Sequence, residues 1–194
     1  IIRKWILEYV ESMDNPANCL VVGISGGIDS SVVSTICAMT GMKTLVVSMP
    51  ISQRPEHHEL GIKHKNWITT KYKNCFGVEI DLTYTFLNFE NQMIDMKFKD
   101  EVGLANSRAR MRMMCLYQVS ASTTGLVVGT GNKIEDFGVG FFTKYGDGGV
   151  DISPIADCTK SEVWAMAKEL HILEEIQIAE PTDGLWNDGR SDID

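Results

Sequence analysis

The stretch LVVGISGGIDSSVVSTICAMTG, residues Leu20–Gly41, decides the fold. It opens with an uninterrupted apolar run, passes through a glycine-rich turn and ends in a segment whose apolar residues have helical spacing. A short apolar run without alternation is typical of a strand buried on both faces. We therefore predict a buried strand at Cys19–Ile24, a turn around Gly26 and Gly27, and a helix over Asp29–Met39.

Strand-like and helix-like segments alternate along the rest of the chain. Runs rich in β-branched residues predict further strands at Lys43–Pro50, Gly77–Leu82 and Gly125–Thr130. Helical patterns cover Ile1–Met13, Glu56–Tyr72, Asn106–Thr123 and Thr159–Leu170, and the pattern of Phe86–Lys97 is ambiguous. Because buried strands alternate with helices, we predict an α/β fold with a Rossmann-like parallel sheet and helices on both faces.

Length and composition indicate one globular domain. The 194 residues are 44% hydrophobic and 23% charged, which is ordinary for a domain with a sizeable core. We expect a single domain over residues 1–194, trimmed at its start because the sequence begins at Ile1 and not at Met. The segment Thr182–Asp194, rich in Gly and Asp, predicts a mobile loop beside a site.

Charge and cysteine content exclude several classes of protein. The net charge of −8 argues against nucleic-acid binding, which relies on a basic surface. No apolar run approaches the ~20 residues of a membrane-spanning helix, so no membrane partner is expected. The five cysteines lack the C-x-x-C spacing of zinc or redox sites. We therefore expect buried thiols in a reducing compartment, the cytoplasm.

The turn SGGIDS, Ser25–Ser30, is expected to bind an anion. It follows the carboxyl end of a parallel strand, where ligands bind in such sheets, and free N–H groups at the start of the next helix favour negative charge. Asp29 would repel a phosphate unless a cation lay between them, and the turn contains no lysine. We interpret Asp29 as a Mg²⁺ ligand; the alternative is that it is a helix N-cap.

Arg110 lies at an unexpected position on the helix Asn106–Thr123. At 100° per residue, Arg108 and Arg112 share a polar face, and Arg110 falls on the opposite side among methionines and Tyr117. Because a buried guanidinium is costly without a partner, Arg110 is predicted to pair with a core carboxylate or with a ligand anion.

Lys160 lies at a similarly unexpected position. Thr159 and Glu162 form a T-x-x-E capping box that fixes the start of the helix. Lys160 then falls in the first turn, where the helix dipole disfavours a cation by roughly 0.3–1 kcal/mol, and it projects toward the apolar side beside Val163 and Trp164. We predict a contact with phosphate; a lysine that reaches past its apolar neighbours to solvent is the alternative.

The glycine turn resembles the pyrophosphate loop, S-G-G-x-D-S, of the ATP-pyrophosphatase-type ligases. These enzymes split ATP into AMP and pyrophosphate, and the loop grips the pyrophosphate. The pattern is shared by GMP synthetase, asparagine synthetase and tRNA-thiolating enzymes, so by itself it leaves the acceptor open.

Motifs in the second half of the chain show a more specific resemblance. GTGNKIE, FFTKYGDGGVD, PIADCTKSEV and EPTDGL, together with NSRARMRM upstream, follow the order and spacing of the ammonia-dependent NAD synthetases from Leu7 to Leu185. The resemblance implies that ATP activates the nicotinate carboxylate of deamido-NAD as an adenylate, releasing pyrophosphate. Ammonia then displaces AMP to give NAD. It also implies a homodimer that builds the dinucleotide site from both subunits.

The resemblance assigns site residues by matching positions. Those for ATP are Gly23, Ile24, Ser25, Gly26, Gly27, Ile28, Asp29, Ser30, Thr130, Lys160 and Thr182. Those for deamido-NAD are Arg110, Lys144 and Asp151. Asp29 and Glu135 correspond to Mg²⁺ ligands, although the spacing alone leaves open that Glu135 is a solvated surface acid. Lys160 and Asp147 are the candidate catalytic residues, and Asp147 is expected to position ammonium.

Parts of the sequence depart from the family, and other functions compete. Residues 51–67 are basic and carry histidines where relatives have acids, so we assign no ATP contact there and expect His57, His58 and His64 to be exposed. The family's closing segment is absent after Asp194, so we expect trimming there too.

A tRNA-thiolating enzyme would bring paired cysteines and a basic surface, and a nucleotide sensor would not need a second anion site. A GMP synthetase-like acceptor remains the other alternative.

Overall fold

A parallel sheet lies at the centre of the described chain. The structure is a computed structural model that describes residues 1–52 and 55–179, apart from the side chains of residues 55–57. The strands are β1 Cys19–Ile24, β2 Lys43–Ser48, β3 Cys75–Glu79 and β4 Gly125–Val128. They lie in the order β3-β2-β1-β4, and every neighbouring pair is parallel. The predicted α/β fold is confirmed.

Helices cover both faces of this sheet. They are α1 Ile2–Glu11, α2 Ile28–Met39, α3 Pro55–Lys71, α4 Thr83–Asp95, α5 Glu101–Thr123, a π-helix Ile134–Val139, α6 Lys160–Glu169 and α7 Glu174–Ile178. Leu20 and Val22 of β1 pack against α1, α2 and α6, whereas Val21 faces Leu116 of α5. Because successive residues of a strand point to opposite faces, an uninterrupted apolar strand fits a sheet that is covered twice.

The largest differences from the predicted boundaries are in β3 and α5. β3 was predicted at Gly77–Leu82 but pairs with β2 over Cys75–Glu79; as an edge strand it is largely exposed, so apolar content is a poor guide to its ends. α5 begins well before Asn106 because the Asp100 side chain caps it by accepting the Gly103 N–H at 2.6 Å. The ambiguous segment Phe86–Lys97 belongs mostly to α4.

His64 corrects the expectation that the histidines are exposed. Its side chain is fully buried between α3 and α2, where Nε2 and Ser34 Oγ are 2.8 Å apart, and its ring stacks on Trp67. Burial lowers the pKa of His64 from 6.5 to about 4. His58 is half-buried beside Glu79, and the side chain of His57 lies outside the described residues.

The strand order creates a crevice at the carboxyl end of the sheet. β1 leads through α2 to β2 and β3 on one side, but β4 lies on the other side of β1. In open parallel sheets, ligands bind where the chain direction switches in this way. In this sheet the switch falls between β1 and β4. No helix among the described residues is long and apolar enough to cross a membrane.

Candidate active site

A cavity of about 440 Å³ opens at this switch point. Its walls come from the ends of β1 and β4, the loops that follow them, and the α5 face of the sheet. Most of the predicted site residues line it, namely Gly23, Ile24, Ser25, Gly26, Gly27, Ile28, Asp29, Ser30, Thr130, Glu135, Asp147 and Lys160. The volume is in the range of small-molecule sites in proteins.

The glycine turn is held in shape by its own hydroxyl groups. Gly26 has a φ of 92°, a conformation that side chains other than glycine rarely adopt. The Gly27 N–H donates to Ser25 Oγ at 3.1 Å, and the Ser25 N–H donates to Ser30 Oγ at 3.2 Å. Gly27, not Asp29, is the N-cap of α2. The N-cap alternative for Asp29 is therefore wrong, and its carboxylate is available to the cavity.

Lys160 joins the two carboxylates that were predicted to hold a metal. Its Nζ lies 2.6 Å from Asp29 Oδ2 and 2.7 Å from Glu135 Oε1. Asp29 comes from the start of α2, Glu135 from the π-helix after β4, and Lys160 from the first position of α6. Three segments distant in the sequence thus converge on one point of the cavity. The alternative of a lysine that reaches out to solvent is wrong.

The local sequence explains why Lys160 points inward. Thr159 and Glu162 form the predicted capping box, with the Thr159 N–H donating to Glu162 Oε2 at 2.7 Å. The buried Val163 and Ala167 fix which face of α6 meets α2. Burial acts to lower the pKa of Lys160, but the charges and hydrogen bonds of Asp29 and Glu135 outweigh burial and raise it.

Acidic groups outnumber cations on this side of the cavity. Burial raises the pKa of Asp29, and Lys160 offsets only part of that effect. Burial together with the charges of Asp147, Glu135 and Asp29 raises the pKa of Asp136 to about 6. Burial also raises the pKa of Asp147, although this carboxylate accepts the Thr143 N–H at 2.9 Å. The site therefore favours a ligand that brings positive charge.

The donor set suits Mg²⁺ held jointly with a nucleotide. No group of three or more His, Cys, Asp or Glu side chains among the described residues could hold a metal alone. Mg²⁺ commonly takes one or two carboxylates together with substrate phosphates, and Asp29 and Glu135 already converge on one cation. Lys160 must give up at least one of these contacts before both carboxylates can hold a divalent ion.

Arg110 corrects the prediction of a buried guanidinium. It is exposed on α5, where its Nε donates to the Lys144 carbonyl oxygen at 3.1 Å. The buried arginine is Arg108, whose guanidinium lies 4.5 Å from the ring centroid of Phe86 and 3.9 Å from Glu90. The prediction was wrong because α4, which the sequence left ambiguous, covers the face that was taken as polar.

Lys144 and Asp151 also lie outside the cavity lining. Lys144 Nζ sits 5.1 Å from the ring centroid of the exposed Tyr145. Asp151 Oδ1 accepts the Tyr117 hydroxyl at 2.9 Å, and its Oδ2 accepts the Val127 N–H of β4 at 2.8 Å. Thr182, and the segment predicted as a mobile loop, lie outside the described residues.

Three residues of the site were not predicted from the sequence: Arg112, Asn132 and Asp136. Asp136 and Arg112 line the cavity, and Arg112 Nε donates to the Met49 carbonyl oxygen at the end of β2. Asn132 is fully buried behind Asp29. The signal for Asn132 and Asp136 was their place in GTGNKIED, directly after a buried strand, but a π-helix cannot be read from apolar spacing.

Comparison with known proteins decides the family. The family model described as NAD synthase matches residues 1–194. The chain belongs to the NAD synthase family. It is 38% identical to the NH₃-dependent NAD⁺ synthetase of Carboxydothermus hydrogenoformans over 190 residues, which covers 97% of this chain and 75% of that protein.

Solved structures of the NAD synthase family agree with the fold described above. The NH₃-dependent NAD synthetase of Campylobacter jejuni, solved with nitrate, has a TM-score of 0.80 at 30% identity, covering 91% of this chain and 73% of that chain. An NMN synthetase from Francisella tularensis has a TM-score of 0.85 at 29% identity, covering 98% and 78%. The chain is thus similar to solved proteins named for two different nucleotide products.

Proposed function

We propose that this protein catalyses the ATP-dependent amidation of deamido-NAD by ammonia. A carboxylate oxygen of the nicotinate attacks the α-phosphorus of ATP, and pyrophosphate leaves with the electron pair of the broken P–O bond. The lone pair of ammonia then attacks the acyl carbon, and AMP leaves with the bond to its oxygen. The nitrogen then loses one proton to become the amide of NAD.

The contact of Lys160 with both Asp29 and Glu135, at the mouth of the glycine turn, carries this proposal. Joining two polyanionic substrates requires their negative charges to be neutralised at one point. The cavity offers backbone N–H groups at the start of α2, one ammonium, and two carboxylates 2.6 and 2.7 Å from it. A site of this composition suits a magnesium triphosphate better than a neutral ligand.

We assign the ATP site to Gly23–Ser30, Thr130, Lys160 and Thr182. Asp29 and Glu135 would hold Mg²⁺, which when bound neutralises phosphate oxygens as pyrophosphate leaves. Lys160, once released from one carboxylate, would bring its ammonium to the phosphates. The hydroxyl groups of the turn that now satisfy its own N–H groups would exchange places with phosphate oxygens.

We assign deamido-NAD to Arg110, Lys144 and Asp151. Arg110 and the Lys144 backbone are joined at 3.1 Å, so the two cations form one exposed patch beside the cavity. Asp151 accepts two hydrogen bonds from its own chain, and a carboxylate retains further lone pairs for a ligand. We expect a homodimer, because a partner subunit packed here would give this exposed patch a second wall.

We assign Asp147 to the positioning of ammonium. It lines the cavity together with Asp29, Glu135 and Asp136. Its raised pKa suits a group that holds ammonium and accepts one of its protons. We place the protein in the cytoplasm, where its five free cysteines would stay reduced.

Pyrophosphate release with and without deamido-NAD tests the proposal. With ATP, Mg²⁺ and ammonium chloride present, we expect release to require deamido-NAD and to be matched by NAD formation. Release that ignores deamido-NAD, or no release at all, would contradict it. Asp29→Asn, which removes one carboxylate charge, should abolish the reaction in the same assay.

Nicotinate mononucleotide is a second candidate acceptor. The similarity to an NMN synthetase, at a TM-score of 0.85 over 98% of this chain, favours testing it. The reacting carboxylate is the same in both acids, so the chemistry at Lys160 would not change. The ratio of kcat/KM for the two acids in the pyrophosphate assay decides between them.

A further inference from the structure

Asn132 is a fully buried carboxamide whose two ends serve different parts of the site. Its Oδ1 accepts the N–H groups of Ile134 at 3.0 Å and Glu135 at 3.1 Å. Its Nδ2 donates to Asp29 Oδ1 at 3.1 Å. The residue has no exposed surface and does not line the cavity, so it does not meet a ligand.

The hydrogen bonds accepted by Asn132 Oδ1 fix the position of the Glu135 backbone. Residues two and three positions after Asn132 donate to its side chain, which is how a capping residue holds the first turn of a helix. The Glu135 N–H is one of those donors. The Asn132 carboxamide therefore determines the backbone position from which the Glu135 side chain extends. Backbone contact from Asp136 N–H to the Asn132 carbonyl oxygen at 3.0 Å strengthens the same turn.

The Nδ2 contact fixes the orientation of Asp29. With Oδ1 of Asp29 held by Asn132, Oδ2 points at Lys160 Nζ, 2.6 Å away. Without that contact, rotation of the carboxylate would exchange the two oxygens. One side chain therefore sets both the direction of Asp29 and the position of Glu135.

We propose that Asn132 is a positioning residue that holds Asp29 and Glu135 at the spacing needed for a shared divalent cation. The proposal rests on the assignment of these two carboxylates to Mg²⁺ in the proposed function. Asparagine suits the role because it presents an acceptor and a donor on one short planar group. Serine can cap the turn but has no donor long enough to reach Asp29, and aspartate offers no N–H.

The variant Asn132→Ser separates the two roles. Its hydroxyl can still accept the N–H groups of the turn, but the hydrogen bond to Asp29 is lost. Loss of an outer partner of a metal ligand typically weakens metal affinity by about 10–100-fold. We expect this loss for Mn²⁺ binding, followed by electron paramagnetic resonance in the presence of α,β-methylene ATP, an ATP analogue whose α–β bridge cannot be cleaved.

Steady-state kinetics supply a second readout. The Mg²⁺ concentration for half-maximal pyrophosphate release should rise by a similar factor in Asn132→Ser. At saturating Mg²⁺, KM for deamido-NAD should stay within about threefold of the wild-type value, because Asn132 does not touch that substrate. A merely structural role would lower the amount of active protein and leave the Mg²⁺ requirement unchanged.

Asn74→Ser is the matched control. The Asn74 carboxamide donates to the carbonyl oxygens of Ala38 at 2.8 Å and Met42 at 2.7 Å, next to the start of β3 and so at the end of the sheet opposite the cavity. It should lower thermal stability without changing Mn²⁺ affinity. If Asn132→Ser melts below the assay temperature, Asn132→Thr, which also caps and fills more space, takes its place.

Two results would overturn the proposal. One is Mn²⁺ affinity in Asn132→Ser equal to that of the wild type; the other is an equal loss in Asn74→Ser. In an Asp29→Asn background, Asn132→Ser should cause no further loss of Mn²⁺ binding, and a further loss would also count against it. The Mn²⁺ measurement needs no turnover, so wild-type protein that binds Mn²⁺ but forms no NAD would refute the proposed function alone.

Discussion

A single ammonium group stabilises the acidic side of the cavity. Lys160 Nζ is the shared partner of Asp29 and Glu135, and its side chain is only 22% exposed. Two partly buried carboxylates left without it would repel each other in a medium that screens charge poorly. The same group lines the cavity together with the glycine turn, where the phosphates of ATP are proposed to lie.

Lys160→Met should therefore lower kcat/KM for pyrophosphate release by on the order of 10²–10³-fold, the usual effect of removing a group that stabilises developing charge. The change keeps the aliphatic stem and removes the charge. Lys168→Met, on the exposed side of the same helix, is the control and should keep wild-type activity. Equal activity in the two variants would contradict the role given to Lys160.

The burial of His64 makes the free energy of unfolding depend on pH. Its pKa falls from 6.5 to about 4 on burial, so between these pH values the unfolded chain takes up a proton that the folded chain excludes. Stability is therefore complete above pH 6.5 and is lost as the pH falls, by up to about 3 kcal/mol at pH 4. Urea unfolding of the wild type between pH 7.5 and 4.5 should show this loss.

His64→Gln should flatten that dependence, because glutamine does not titrate, even if the variant is less stable at pH 7.5. His171→Asn is the control: His171 is exposed and has a positive φ of 55°, which asparagine tolerates. The wild-type slope should persist in His171→Asn. A slope that persists in His64→Gln would show that another group is responsible.

Single residues were predictable where their own helix determined their surroundings. Lys160 follows its capping box, and the structure confirms both the cap and the inward direction. Arg110 and Arg108 were exchanged in the prediction, because what a helix face meets depends on a neighbour that the sequence did not define. Asn132 was not predicted because its hydrogen bond to Asp29 joins residues that are about a hundred positions apart in the chain.

At the scale of elements, α3 lies directly against the glycine turn. A Cβ on Gly61 would come within 3.7 Å of the Gly26 nitrogen and the Ser25 carbonyl group. That distance is ordinary van der Waals contact for one methyl group, so a branched side chain here would add atoms next to the backbone of the turn. The helix therefore forms an outer wall for the turn, although its sequence gave no reason to connect it with nucleotide binding.

Gly61→Ala should fold normally and gain up to about 1 kcal/mol of stability from its higher helix propensity. Gly61→Val should push α3 and the turn apart and raise KM for ATP about tenfold or more. Thermal melts and ATP titrations of the two variants check this. A valine variant that binds ATP like the alanine variant would show that the approach of α3 does not matter.

The helices and strands with buried apolar faces were the ones whose ends could be predicted from the sequence. β1 was predicted with its observed ends and α2 within a residue, because they are buried along most of their length. α6 was predicted within a residue because its capping box marks its start. β3 is exposed over most of its length, so its ends follow the pairing with β2. The π-helix and α7 have no apolar period long enough to detect.

At the scale of the molecule, two consecutive helices expose apolar side chains to solvent. α4, α5 and the turn between them carry exposed Tyr84, Leu87, Ile94, Met96, Phe98 and Val102. Apolar groups gathered in this way mark interaction surfaces. Because Arg110 is exposed on the same helix, a second copy packed here would border the patch assigned to deamido-NAD.

Phe98→Glu should weaken dimerisation at least tenfold, about 1.4 kcal/mol, and raise KM for deamido-NAD more than KM for ATP. Phe98 is 70% exposed, so the substitution should leave the fold intact. Sedimentation velocity measures the association. Trp5→Glu is the control, since α1 packs on α2 across the sheet from α5, and it should sediment like the wild type.

The hydrogen bond from the Val127 N–H to Asp151 has a consequence for solubility. Together with the short bridge between Val128 and Ile152, it occupies the outer backbone groups of β4, which would otherwise be a template for a strand of another chain. Intermolecular pairing that leads to aggregates is blocked along that margin.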